Sequence, residues 1–274
     1  MSAAVAQLRA WSDELMLRNF ETLARLPPDG REPVPPRQFG GVVAFATGRR
    51  LGYFNSLIVL GPATAADITE GAGWLREQGA GFSVRLNRDV ENDEVRATLV
   101  GLGLAREPDE PGMVLHPLSS PPAPPADLTI ETMRPETMDR WYEAAALAWG
   151  LEATAAVGRL SDSIPPYAAA DPGIRVFAGY VDRKPVATSL AVETPNVVGI
   201  YAVATAEGAR GRGYGSAMTW AAIDAGREWG CKAAALQASP MGEPVYRRMG
   251  FQAVTRYATW ESREVVAEDA PRGW

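Results

Sequence analysis

At 274 residues the chain has the length for one large domain or two ordinary ones, and its apolar share of 46% and charged share of 22% are those of a globular protein with a core. A net charge of -6 argues against the basic face of a nucleic-acid binder. One histidine, His116, and one cysteine, Cys231, leave no disulfide framework and no histidine or cysteine set for a metal, and no run reaches the roughly 18 apolar residues of a membrane span.

Lys184 and Lys232 are the only lysines among many arginines; with abundant Ala, Gly and Pro this is the bias of a GC-rich bacterial genome. The N-terminus meets Arg9, Asp13 and Glu14 before an apolar signal core develops, so a cytoplasmic protein is expected. Cys231, between a helix end and a strand start, reads as a small buried hydrophobe rather than a nucleophile.

The chain begins with an amphipathic helix carrying Leu8, Trp11, Leu15 and Leu23. Strands follow near Val42 to Ala46 and Tyr53 to Leu60, then a helix from about Ala63 to Gln78 and a strand at Phe82 to Leu86. A helix from Asn92 to Leu102 and a strand near Met113 to Leu115 close the first half. Pro117 to Asp127 is rich in proline, which removes backbone donors and favours extended geometry, so a linker is expected at 119–126 between domains at 1–118 and 127–274.

In the second half a short strand at Leu128 to Glu131 precedes a helix from Glu136 to Trp149 and a weaker one from Leu151 to Ser163, closed by Pro165 and Pro166. Three strands, Ile174 to Val181, Val186 to Glu193 and Val197 to Val203, are joined by turn sequences and form an antiparallel meander. A long helix from about Gly213 to Trp229 leads to a buried strand, Lys232 to Ala238. A short helix from Glu243 to Arg248 stops at Gly250, and strands near Phe251 and at Arg256 to Trp260 finish the order. The order of the first half is a blurred copy of the second, which points to an internal duplication.

The chemistry-bearing stretch runs from Ile200 to Ser216, where a strand ends and Arg210, Gly211, Arg212, Gly213, Tyr214, Gly215 and Ser216 open a helix. Glycine lets backbone N–H groups approach a ligand, and the first helical turn has unpaired donors and a positive dipole end. Two arginines sit badly at such an end unless an anion offsets them, and a diphosphate is the natural occupant. The dinucleotide fingerprint is disfavoured, because Ser216 stands where its last glycine would be and Ser239, not an acid, follows the next strand. A P-loop is disfavoured because no lysine is near.

Arg210-x-x-Gly213-x-Gly215 after a strand ending Tyr-Ala-Val resembles the acyl-CoA signature of the GNAT superfamily of N-acyltransferases, and Tyr246 ahead of Gly250-Phe251 resembles its second hallmark. The resemblance covers roughly Leu128 to Trp260 and implies a mixed α/β (α+β) fold of two GNAT-like units, each a twisted, mostly antiparallel sheet flanked by helices. The first unit is degenerate: its loop, Gly61-Pro-Ala-Thr-Ala-Ala, has no second glycine and no arginine and should hold no diphosphate. The resemblance further implies acetyl-CoA as co-substrate without a metal, and a strand that splays to take the pantetheine arm. It places Ala202, Val203 and Thr205 against pantetheine and Arg210 to Ser216 around the diphosphate. It gives the Val203 N–H to the thioester carbonyl and makes Tyr246 a cofactor contact and the proton donor to the departing thiolate.

One departure stands out. Many GNAT enzymes carry a glutamate on the strand before the loop as general base, and Val197 to Val203 has no carboxylate. Glu193 lies at the far end, some 20 Å from Val203 at about 3.3 Å per residue. Glu207, Glu152, Asp162, Asp171 or a held water are the alternatives. The acceptor should enter opposite CoA, near Trp141, Tyr142, Trp149 and Tyr167, aromatics that also fit a core. The expected activity is direct acetyl transfer to the primary amine of a small acceptor by a monomer or homodimer. A non-catalytic acyl-CoA-binding regulatory or interaction protein is the rival.

Overall fold

The computed structural model describes residues 2–79, 81–151 and 153–262. The helices are α1 (Ala3–Arg25), α2 (Ala65–Glu77), α3 (Asp93–Gly101), α4 (Met138–Trp149), α5 (Ala153–Ser163), α6 (Tyr214–Glu228) and α7 (Glu243–Arg248). The strands of the first half are β1 (Arg37–Phe39), β2 (Val42–Phe45), β3 (Ser56–Val59), β4 (Ser83–Asn87), β5 (Leu104–Arg106) and β6 (Glu110–Leu115). Those of the second are β7 (Thr129–Thr132), β8 (Ile174–Val181), β9 (Lys184–Glu193), β10 (Val197–Thr205), β11 (Ala233–Gln237) and β12 (Gln252–Ser262). This is the mixed α/β architecture expected, and two short strands, β1 and β5, were not foreseen.

Two compact units form, and their ends are exchanged relative to the chain's halves. Of the described residues, the C-terminal unit holds those up to 11 together with 113–252, and the N-terminal unit holds 12–112 with 253–262. The boundary expected at 119–126 therefore lies inside the C-terminal unit. There the proline-rich stretch is a strap: Leu118 and Leu128 pack against the core, and Arg227 donates to the Ser119 carbonyl.

In the C-terminal unit β7, β8, β9 and β10 are antiparallel neighbours and β11 adds in parallel to β10. Residues of alternate sign of the pleat explain the layers: Phe177, Ala187, Ala191, Val198 and Ile200 join α6 residues Met218, Ala222 and Ile223 in one core cluster. The opposite face takes α4, whose Trp141 and Tyr142 are fully buried. Gly150 at φ +66° ends α4 in the left-handed conformation.

In the N-terminal unit β1, β2 and β3 are antiparallel, β4 is parallel to β3, and β12 runs antiparallel to β4. The expectation that the last strands finish the second half is corrected here. The stretch 252–262 is one continuous strand, and Trp260 pairs with Val84 inside the core that also holds Leu57, Ile68 and Leu86. Its sequence, with apolar residues at 253, 254, 257, 258 and 260, gives no sign of which sheet it joins.

Candidate active site

β10 and β11 are ladder partners only from Val197/Ala233 to Gly199/Ala235. β10 continues to Thr205 and β11 to Gln237, so from Ile200 onward the two strands part and the β10 edge facing β11 has no ladder partner. On its other side β10 stays paired with β9, but with an irregularity: Tyr201 faces Leu190 and Ala204 faces Thr188, so Ala202 and Val203 together oppose Ser189 alone. The extra residue puts Ala202 at φ +52°, a left-handed conformation that costs a non-glycine residue about 1 kcal/mol or more. The Thr188 hydroxyl holds it there, donating to the Ala202 carbonyl at 2.8 Å. Strained backbone thus coincides with the opening of the sheet. Ala202, Val203 and Thr205 are all half-buried along this free edge.

Beyond β10 a short turn at Glu207–Ala209 carries the chain to Arg210, whose Nε donates to the Thr205 carbonyl at 3.1 Å. α6 then starts at Tyr214 with Gly213 as its N-cap at φ +84°, a conformation that a side chain resists. No side chain caps the helix. Its first intrahelical bond is Ala217 N–H to Gly213 O at 3.0 Å, so the amides of Tyr214, Gly215 and Ser216 have no intrahelical acceptor. A Cβ on Gly215 would come within 3.3 Å of Thr205 Oγ1, so the loop closes tightly on the strand end. Arg210, Gly211, Arg212 and Gly213 are exposed around this uncapped turn. Tyr214 is buried and its hydroxyl donates to Asp127 at 2.5 Å, a bond that raises its pKa and anchors the strap beside the loop. These residues fit a diphosphate: three free N–H groups, a positive dipole end and two guanidinium groups.

The corresponding helix of the N-terminal unit is built differently. Thr64 caps α2 through the Asp67 N–H at 3.2 Å, and the Asp67 carboxylate accepts from Thr64 N–H at 2.9 Å and from Gly41 N–H at 3.4 Å. These bonds hold the Asp67 carboxyl below its usual pKa. The place where an anion would sit is already taken by the chain's own carboxylate.

Tyr246 lies on α7, 8% exposed, with its ring edge-on to Phe251 at 5.7 Å between centroids. Burial pushes its phenol up to about 12, against a smaller opposing effect of Thr219 on α6. The hydroxyl is therefore protonated at neutral pH. Thr219 itself donates to the Gly215 carbonyl at 2.8 Å, which ties the phenol's neighbour to the first turn of α6. Sequence reasoning missed Thr188, Thr219 and Asp127, because each acts through a partner distant in sequence.

The other named residues are sorted by burial. Trp141 is fully buried against Tyr142 and Trp149, and the Tyr142 hydroxyl donates to the Ile164 carbonyl at 2.7 Å. Both are core residues and not an acceptor lip; Tyr167 alone of the four is well exposed. Cys231 is buried and its thiol is pushed up to about 11, as an inert core thiol is. Glu193 and Glu207 are exposed, Asp171 accepts from Gly173 N–H at 3.0 Å, and Glu152 lies outside the described residues. Among the described residues none emerges as general base.

The comparisons agree with this geometry. Residues 136–251 match the family model described as Acetyltransferase (GNAT) family. Among solved structures, a GCN5-related N-acetyltransferase from Kribbella flavida is similar over 92% of this chain and 95% of its own, with 18% identity and a TM-score of 0.66. A tandem GNAT protein from the clavulanic acid biosynthesis pathway is similar over 81% of this chain and 78% of its own (14% identity, TM-score 0.54), as is a GCN5-related N-acetyltransferase from Sphaerobacter thermophilus over 81% and 76% (20% identity, TM-score 0.53). At such identities these likenesses establish the fold. No curated protein sequence matches the chain. Splayed strands and uncapped loop thus lie within residues 136–251, the stretch that is similar to the GNAT acetyltransferase family model.

Proposed function

We propose that the C-terminal unit transfers an acetyl group from acetyl-CoA directly to the primary amine of a small acceptor. The uncapped first turn of α6 is the observation that carries this reading. In it, the amides of Gly211 to Ser216 and the side chains of Arg210 and Arg212 hold the diphosphate, and the free edge of β10 at Ala202, Val203 and Thr205 pairs with pantetheine. The Val203 N–H donates to the thioester carbonyl as it becomes an oxyanion. The amine nitrogen attacks the carbonyl carbon, and the C–S bond breaks. Tyr246 gives its proton to the thiolate sulfur, while the proton lost by the amine passes to water and restores the phenol.

Turnover of acetyl-CoA against a panel of amines, followed by release of free thiol, tests this function. At least one amine should raise thiol release well above hydrolysis. Tight acetyl-CoA binding with no turnover across the panel would contradict it and select a non-catalytic acyl-CoA-binding protein.

A further inference from the structure

The proline-rich strap is pinned at both ends of α6. In the last turn of the helix Arg227 donates to the Ser119 carbonyl, and at its first residue the Tyr214 hydroxyl donates to Asp127 at 2.5 Å. From Ser119 to Asp127 is eight residue steps, which cover roughly 25 Å in polyproline geometry. From Tyr214 to Arg227 is thirteen helical steps, a rise of roughly 20 Å. The two lengths match, so the strap runs beside α6 as a strut. Pro121, Pro122, Pro124 and Pro125 fix φ along it and stiffen it.

The far end of the strut meets the loop. Leu128 N–H donates to the Pro125 carbonyl at 3.1 Å, closing a turn, and Leu128 packs against the core. Pro125 is half-buried, its Cγ 3.6 Å from where a Cβ on Gly213 would stand. Asp127 is thus held at the uncapped start of α6. A carboxylate there by itself opposes an anion, so its contribution lies in what it holds. It holds Tyr214, whose ring lies in the core and whose amide is one of the three left free by the helix. The bond to Asp127 raises the phenol's pKa, burial adds to the rise, and Arg212 opposes it. The Arg212 guanidinium therefore stands within reach of the same hydroxyl. Gly211 and Gly213, at φ +78° and +84°, flank Arg212 with backbone that no side chain stiffens, so the loop depends on such an anchor.

We propose that Asp127 is a positioning residue for acetyl-CoA: through the Tyr214 hydroxyl it holds the first amides of α6 and the Arg212 side chain where the diphosphate binds. This rests on the reading of the loop as the cofactor site. Ordering a loose loop on binding subtracts from affinity, and a loop already held by the strut avoids that loss.

Calorimetric titration of the full chain and four variants with acetyl-CoA tests this. Asp127→Ala and Tyr214→Phe each remove the bond and should weaken binding at least about tenfold. The double variant should be no weaker than either single one, because both break the same link. Asp127→Asn keeps an accepting oxygen without the charge and should stay within about threefold of the unaltered chain. Cooperative thermal unfolding of each variant shows that it folds. Tighter binding by Asp127→Ala would mean that the carboxylate only repels the ligand. Additive losses in the double variant would mean that Asp127 acts by a route other than Tyr214. Either result overturns the proposal, as does Asp127→Asn binding as weakly as Asp127→Ala, or full affinity in every variant. If the unaltered chain itself binds no acetyl-CoA, the assignment of the loop falls and this inference falls with it.

Discussion

Tyr246 is the residue whose role the geometry constrains most. Its phenol is buried, pushed up to about 12, and next to Thr219 at the start of α6. If it protonates the leaving thiolate, Tyr246→Phe removes an interaction made mainly in the transition state. The ring and its contact with Phe251 remain, so kcat and kcat/KM should fall together by about 100-fold while acetyl-CoA affinity holds. A rise in KM at constant kcat would instead make Tyr246 a CoA anchor, and a fully active variant would make water the donor. The pH profile gives a second check. The acid must be protonated to act, so its contribution is lost only as pH rises through its pKa. With a pKa raised to about 12, kcat should show no falling limb near pH 10, where an ordinary tyrosine titrates. A falling limb at about 10 that Tyr246→Phe abolishes would contradict the burial argument. This residue was legible in the sequence from its spacing to Gly250-Phe251. The strain at Ala202 was not, because a φ of +52° on an alanine arises from a long-range register mismatch with β9.

At the scale of elements, α6 follows β10 and α2 follows β3, and the two helices have opposite N-termini. α6 is uncapped and flanked by Arg210 and Arg212, whereas α2 has Thr64 and Asp67 bonding each other's backbone. Two cations near a helix N-terminus cost roughly 0.3–1 kcal/mol each without an anion, while a good cap contributes about 1 kcal/mol. On the proposed function, the start of α6 awaits an anion, while that of α2 already holds the Asp67 carboxylate. The glycine and arginine pattern of the first and its absence from the second were readable directly, because both depend on local residue type. The Thr64–Asp67 box was there to be read as well, as a cap three residues ahead of an acid. Gly213→Val should abolish acetyl-CoA binding, since a branched side chain opposes φ +84° and fills the anion's approach. Unchanged affinity in a folded variant, measured by calorimetry, would remove this loop from the cofactor site.

At the scale of the molecule, the sequence order of elements and the spatial units part company at the ends. A proline-rich stretch invites a cut, but β12 begins at Gln252, 135 residues after Pro117, and still completes the N-terminal sheet. Strand pairing of this kind is non-local and leaves no mark in composition, which is why the strand was legible and its sheet was not. A fragment of residues 1–126 loses Ala258 and Trp260 from its core and leaves the β4 edge open. Loss of a buried tryptophan alone costs about 3–5 kcal/mol, a large part of the stability of a small domain. The fragment should unfold without a cooperative transition by circular dichroism, and appending residues 253–262 through a flexible linker should restore one. Cooperative melting of 1–126 alone would contradict the exchange. The central claim is that one helix start in this chain takes the diphosphate of acetyl-CoA and the other cannot. A calorimetric titration of the full chain with acetyl-CoA tests it most directly. The account predicts one molecule bound per chain, whereas two per chain, or none, would contradict it.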